Sequence, residues 1–94
     1  MVILAHASDS CLVRQDRENI ARLFGDALRA ARNDAGLSQE ELAFRAGVDR
    51  TFVSRAERGV RQPALATVFQ LAQGLGIRAS ELVEMMGDPE LSDD

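Results

Sequence analysis

Five side chains able to grip a polyanion recur at helical spacing near the middle of the chain: Arg50, Thr51, Ser54, Arg55 and Arg58. At about 100° per residue they share one arc of a short helix, while Phe52, Val53, Ala56 and Glu57 share the other. An arginine carries its donors in a rigid fork that matches phosphate oxygens or the O6/N7 edge of guanine. The methyl of Thr51 suits the methyl of thymine, although a threonine here is also an ordinary helix-start residue. Such an arc fits the major groove of DNA, which admits one helix. The plainer alternative is a solvated arginine surface. Three arginines gathered opposite an apolar face, in an acidic chain, weigh against it. Asp49 is expected to cap this helix with its carboxylate. Gly59 is expected to stop it in the left-handed conformation.

The net charge of −4 looks wrong for a nucleic-acid ligand, but its distribution decides more than its sum. Residues 45–61 carry +3, residues 62–94 carry −5 and residues 1–44 carry −2. All eleven cations are arginine. Positive charge is therefore concentrated around the proposed reading helix.

Other chemistries lack their residues. His6 is the single histidine and Cys11 the single cysteine, both near the N-terminus, so no zinc set assembles and no metal or cofactor is expected. No Ser-His-acid set falls within the expected folded part. Gly74-Leu75-Gly76 is a pair of glycines at a helix end and no phosphate loop. Glu40, Glu41, Glu81 and Glu84 lie on faces expected to be solvated. An enzyme is therefore not expected. Cys11 has no partner for an internal disulfide, which favours a reducing cytoplasm; a lone thiol is its bland reading and a redox sensor the sharper one. No apolar run approaches the 18 residues of a membrane span, and Val2-Ile3-Leu4-Ala5 is too short for a signal sequence.

The elements that must hold the arginine arc read as helices throughout. The hydrophobic fraction is 46%, and the four aromatics are all Phe, so the core must be Leu, Ala and Val. The fold class expected is all-α, a compact five-helix bundle. Residues 1–15 show no sustained period and are read as a flexible arm or an extra turn packing on a partner. Residues 16–87 form the domain. The first helix runs from an Asp16 cap to Ala35 with Ile20, Leu23, Phe24, Ala27, Leu28, Ala31 and Ala35 on one stripe, and stops at Gly36. Ser38-Gln39-Glu40-Glu41 is a capping box opening a second helix, with Leu42, Ala43 and Ala46 inward and Gly47 at its end. Val48 plugs the angle before the reading helix. Two short helices joined in this way define a helix-turn-helix unit. After a loop through Pro63, Leu65, Val68, Phe69, Leu71, Ala72 and Leu75 fill a fourth helix. Ala79–Met86 makes a fifth. The acidic residues 88–94 are expected to be disordered.

The run Gly36-Leu37-Ser38-Gln39-Glu40-Glu41-Leu42-Ala43, then Gly47-Val48, Ser54, Glu57-Arg58-Gly59, Arg61 and Pro63, resembles the phage-repressor and Cro type of helix-turn-helix domain, the Xre family. The resemblance covers roughly residues 20–86. Within it, Asp49-Arg50-Thr51-Phe52-Val53-Ser54 followed by Glu57-Arg58 is similar to the controller proteins of restriction–modification systems. The resemblance implies base-reading by Arg50, Thr51 and Arg55. It implies DNA-backbone contacts by Gln39, Arg58 and Arg61, with Ser54 counted among them from its place on the outer arc. It also implies an ion pair of Arg32 with Glu57, whose place beside the buried face already calls for a partner. Two features depart from the family pattern: the long N-terminal arm, and Ala64 where Ser or Thr is common before helix 4.

On the fifth helix Leu82 and Met86 can face the core while Met85 and Val83 are left over; Val83, Met85 and Met86 are together read as a homodimer surface. A two-fold pair of such helices reads two half-sites about 10 bp apart or a multiple of that. The expected function is a sequence-specific, double-stranded DNA-binding transcriptional regulator. It acts as a homodimer on an inverted repeat, in the cytoplasm at the nucleoid, with RNA polymerase as a possible partner. A controller protein would activate at low occupancy and repress at high. The alternatives are a protein-interaction module bridging a regulator to the transcription machinery, and the antitoxin of a toxin–antitoxin pair.

Overall fold

The computed structural model describes the backbone of residues 6–87 and the side chains of residues 16–87. Its elements are α1 (His6–Asp34), α2 (Gln39–Ala46), α3 (Arg50–Glu57), α4 (Leu65–Leu75) and α5 (Ala79–Met86). Among the described residues there is no strand. The five helices expected are present in the expected order.

One boundary differs. α1 begins at His6, so Asp16 lies inside the helix and does not cap it. Residues 6–15 of the expected arm are helical backbone. Neither Gly nor Pro occurs between His6 and Phe24. Once the packed half of the helix is nucleated, adding residues at its N-terminal end is easy. Residues 1–5 of the expected arm, and the expected disordered tail at 88–94, lie outside the described residues.

α2 opens with the capping box read from the sequence. Ser38 Oγ accepts from Glu41 N–H at 3.0 Å, and the Glu41 carboxylate accepts from Ser38 N–H at 2.9 Å. That backbone donor holds the Glu41 carboxyl below the usual range. Gly47, at φ 74°, closes α2 in the left-handed conformation. α3 starts after an extended Asp49, but the Asp49 carboxylate makes no capping bond, against expectation. The side chain is exposed to water, and the first turn is held by the Asp49 carbonyl accepting from Phe52 and Val53. At the other end Gly59 N–H donates to Ala56 O and Val60 N–H to Arg55 O, with Gly59 at φ 77°. This is the Schellman closure, and it needs a residue without a Cβ penalty at Gly59.

Each helix gives one fully buried large side chain to a common centre: Leu28, Leu42, Val53, Leu71 and Leu82. Val48 and Phe52 pack against it while partly exposed. Leu65 and Phe69, two of the apolar residues that fill the fourth helix, are 72% and 59% exposed. The buried stripe of α4 runs through Val68, Leu71, Ala72 and Leu75, and Leu65 and Phe69 are rotated away from it. Ala35, expected on the stripe of α1, falls beyond that helix's end and is exposed. Gly25 sets how closely α1 and α3 approach. A Cβ there would stand 2.4 Å from Ala56 O and 2.7 Å from Glu57 O.

Candidate nucleic-acid interface

α3 is eight residues long and cannot hold its own orientation in water. Its underside does so, with Val53, Ala56 and Glu57 buried. Glu57 is the one buried charged residue among those described, at 2% exposure. Its carboxylate gathers three elements. From α1, Arg32 donates Nε to Oε2 at 2.6 Å and Nη2 to Oε1 at 3.0 Å. From α2, Gln39 donates Nε2 to Oε1 at 3.0 Å. Arg29 lies 3.6 Å from Oε1 and donates to the Glu57 carbonyl at 3.2 Å. Arg32 also donates to Leu37 O at 2.9 Å, tying the turn before α2 to the same point. Burial pushes the Glu57 carboxyl up. The hydrogen bonds from Arg32 and Gln39 and the charges of Arg32 and Arg29 outweigh that and hold it below the usual range. Arg32 is raised, chiefly by its hydrogen bond to Glu57.

The opposite face is open. Arg50, Thr51, Arg55 and Arg58 are exposed, and Ser54 is half-buried between them. Among the described residues, ion pairs form at Arg29 and Arg32 and at none of Arg50, Arg55 or Arg58. The free donors thus lie on one side of α3 and the satisfied ones on the other. Arg61, in the segment after α3, is exposed and places its guanidinium carbon 5.7 Å from the centre of the Phe52 ring. Gln39 sits at the first position of α2, half-buried, with its amide turned to Glu57. The sequence reading gave Gln39 only a DNA contact and missed this structural one; its position three residues before the buried Leu42-Ala43 pair carries no separate signal of it.

Three residues of α5 were expected to face a second copy. Val83 and Met85 are exposed at 51% and 44%. Met86 is not: it is half-buried and packs on the core, because it follows the buried Leu82 by one turn. Leu65 and Phe69 join Val83 instead, lining an open, largely apolar groove of about 730 Å³ with Val68 and Ala79. A signal existed in the sequence: seven apolar residues, large and small, in the eleven of α4 exceed what one stripe can bury. Among the described residues no cluster of His, Cys, Asp or Glu could hold a metal ion, and no helix is long and apolar enough to cross a membrane.

A capped α2, a three-residue turn, and an α3 clamped from beneath with its cations outward define a helix-turn-helix module. The family described as helix-turn-helix, HTH_3, matches residues 28–82. An HTH-type transcriptional regulator of Sinorhizobium fredii, y4dJ, is 38% identical over 65 residues, covering 69% of this chain and 84% of that one. The crystal structure of the restriction–modification controller protein C.AhdI from Aeromonas hydrophila is similar at a TM-score of 0.64 and 45% identity, over 66% of this chain and 94% of that chain. The controller protein C.Esp1396I, solved as a tetramer on its natural 35-base-pair operator, is similar at 0.67 and 25% identity, over 71% and 88%. The chain belongs to the helix-turn-helix family of transcriptional regulators that includes the controller proteins.

Proposed function

We propose that this chain binds duplex DNA sequence-specifically as a homodimer and regulates transcription from an inverted-repeat operator. α3 enters successive major grooves. Arg50, Thr51 and Arg55 read base edges, and Gln39, Ser54, Arg58 and Arg61 hold the sugar-phosphate backbone. The observation that carries this reading is the division of charge across α3: every arginine on its outer arc is unpaired among the described residues, while Glu57 beneath is satisfied from α1 and α2. The exposed Leu65, Phe69, Val83 and Met85 offer the two-fold contact. A solved relative that occupies its operator as a tetramer is consistent with two dimers filling one regulatory site in turn. Activation at low occupancy and repression at high would follow, with RNA polymerase the partner at the promoter and the nucleoid the place of action.

Selection of bound sequences from a random duplex pool tests DNA binding, half-site spacing and symmetry together. Enrichment of a two-fold site, lost in the Arg50→Ala, Arg55→Ala double variant, is the expected result. No enrichment, or the same site selected by the double variant, refutes the reading.

A further inference from the structure

Arg61 stands in a stretch without helical hydrogen bonds, between the Schellman closure at Gly59 and the start of α4. A long side chain there has many rotamers to lose on binding. Among the described residues it makes no hydrogen bond and no ion pair. Its guanidinium lies over the ring of Phe52, 5.7 Å from the centroid. Phe52 is itself fixed. It is half-buried against the core and follows the Asp49 carbonyl in the first turn of α3. Its ring therefore projects from the reading helix toward the loop, beside Arg50 and Thr51 in sequence.

We propose that Phe52 is a positioning residue for DNA recognition: its ring holds the Arg61 guanidinium beside the first turn of α3 before DNA arrives. The inference deepens the proposed function, since it rests on Arg61 touching DNA. A cation over an aromatic face keeps its N–H groups at its rim free for other acceptors. The ring thus restrains Arg61 without consuming the donors a phosphate or guanine needs. An ion pair in the same place would restrain it and occupy those donors. Prior ordering lowers the entropy lost on association. For an exposed cation–ring pair the gain corresponds to roughly a two- to fivefold change in affinity.

The test has a free-protein arm and a DNA arm. In the free full-length chain, NMR should find the Arg61 side-chain protons shifted by the Phe52 ring current, with the shift abolished in Phe52→Leu and retained in Phe52→Tyr. Absence of that shift in the wild type overturns the proposal. Binding to a selected operator is then measured for wild type, Phe52→Leu, Arg61→Ala and the double variant. Phe52→Leu should weaken binding by about two- to fivefold on the wild-type background and by nothing further once Arg61 is gone. Phe52→Tyr should restore it. Equal losses on both backgrounds mean that Phe52 acts only through the fold, and the proposal fails while the DNA reading stands. Wild-type affinity in Arg61→Ala removes Arg61 from the interface and overturns the proposal, again leaving α3 untouched. A wild-type chain that selects no DNA refutes the proposed function itself.

Discussion

A carboxylate among apolar side chains is the least comfortable group in this domain, and its partners explain why it is there. Glu57 accepts from Arg32 through a two-pronged contact and from Gln39, so the three helices that form the reading head meet at one charge. Removing it leaves Arg32, whose side chain is 15% exposed, with an unmatched charge. Breaking such a pair costs more than the pair contributes, about 3 kcal/mol. Glu57→Ala should therefore lower the melting temperature by roughly 10 °C or more, and DNA affinity with it, by calorimetry and titration on one preparation. An unchanged melting curve would take the clamp out of the account. Acid acts on the same group. Its folded pKa lies below the unfolded one, so its stabilisation is complete above the ordinary glutamate range, about 4.3. The contribution disappears as pH falls through the folded value. Glu57→Gln should start less stable at neutral pH and lose less on acidification, which thermal melts from pH 7 to pH 3 can compare. The charge on the apolar arc of α3 was visible in the sequence as an acid needing a partner. The part of Gln39 in it was not, because a glutamine at a helix start has no apolar signature to betray an inward turn.

Helix ends carried the clearest sequence signals. Ser38 with Glu41, and Gly47, Gly59 and Gly76 after their helices, set local geometry through backbone groups a few residues apart, and local rules are enough to read them. The beginning of α1 had no such mark, since ten residues without Gly or Pro permit a helix but do not announce one. Asp49 had the right type and position for a cap, yet its side chain stays in water and its carbonyl does the holding. Distances between helices were the least legible, because they depend on residues far apart in the chain. Gly25 is the example. Inside a helix, replacing Gly by Ala should stabilise by about 1 kcal/mol. Here the new methyl would sit 2.4 Å from the Ala56 carbonyl, so α1 and α3 must separate. Overpacking of this kind costs about 1–3 kcal/mol before the propensity gain. Gly25→Ala should be destabilised in urea and should bind operator more weakly than its lost stability explains, because α3 is displaced. Gly36→Ala is the control. It meets no atom within 4 Å and is strained only by φ 72°, so it should lose about 1 kcal/mol with DNA affinity intact.

Across the whole molecule, charge and apolar surface are sorted to different places. The +3 of residues 45–61 surrounds the proposed reading helix, in a chain whose remainder is acidic. Leu65, Phe69, Val83 and Met85 form a separate exposed set on α4 and α5. Sequence reasoning located the second set on α5 alone and counted Met86 in it, because a wheel drawn for one helix cannot tell which flank of its neighbour is left open. In the proposed complex an eight-residue helix would touch few base pairs, and its arginines would gain much of their affinity by releasing counterions. Two copies on one frame would double both the sequence read and the phosphates neutralised. Phe69→Asp separates assembly from folding. The side chain is 59% exposed and outside the core, so the melting temperature should hold at protomer concentrations where the wild type is already dissociated. By sedimentation at micromolar concentration the wild type should run as a dimer and the variant as a monomer. The variant should also lose operator affinity by at least tenfold, with a shallower dependence on salt, because one protomer's phosphate contacts are gone from each complex. Arg58→Ala should behave differently: it should remain a dimer and reduce the slope of log K against log salt by about 1 per protomer, equally on all sequences. A wild type that sediments as a strict monomer would defeat the homodimer itself, and a Phe69→Asp chain that still dimerises would move the two-fold contact away from α4 and α5.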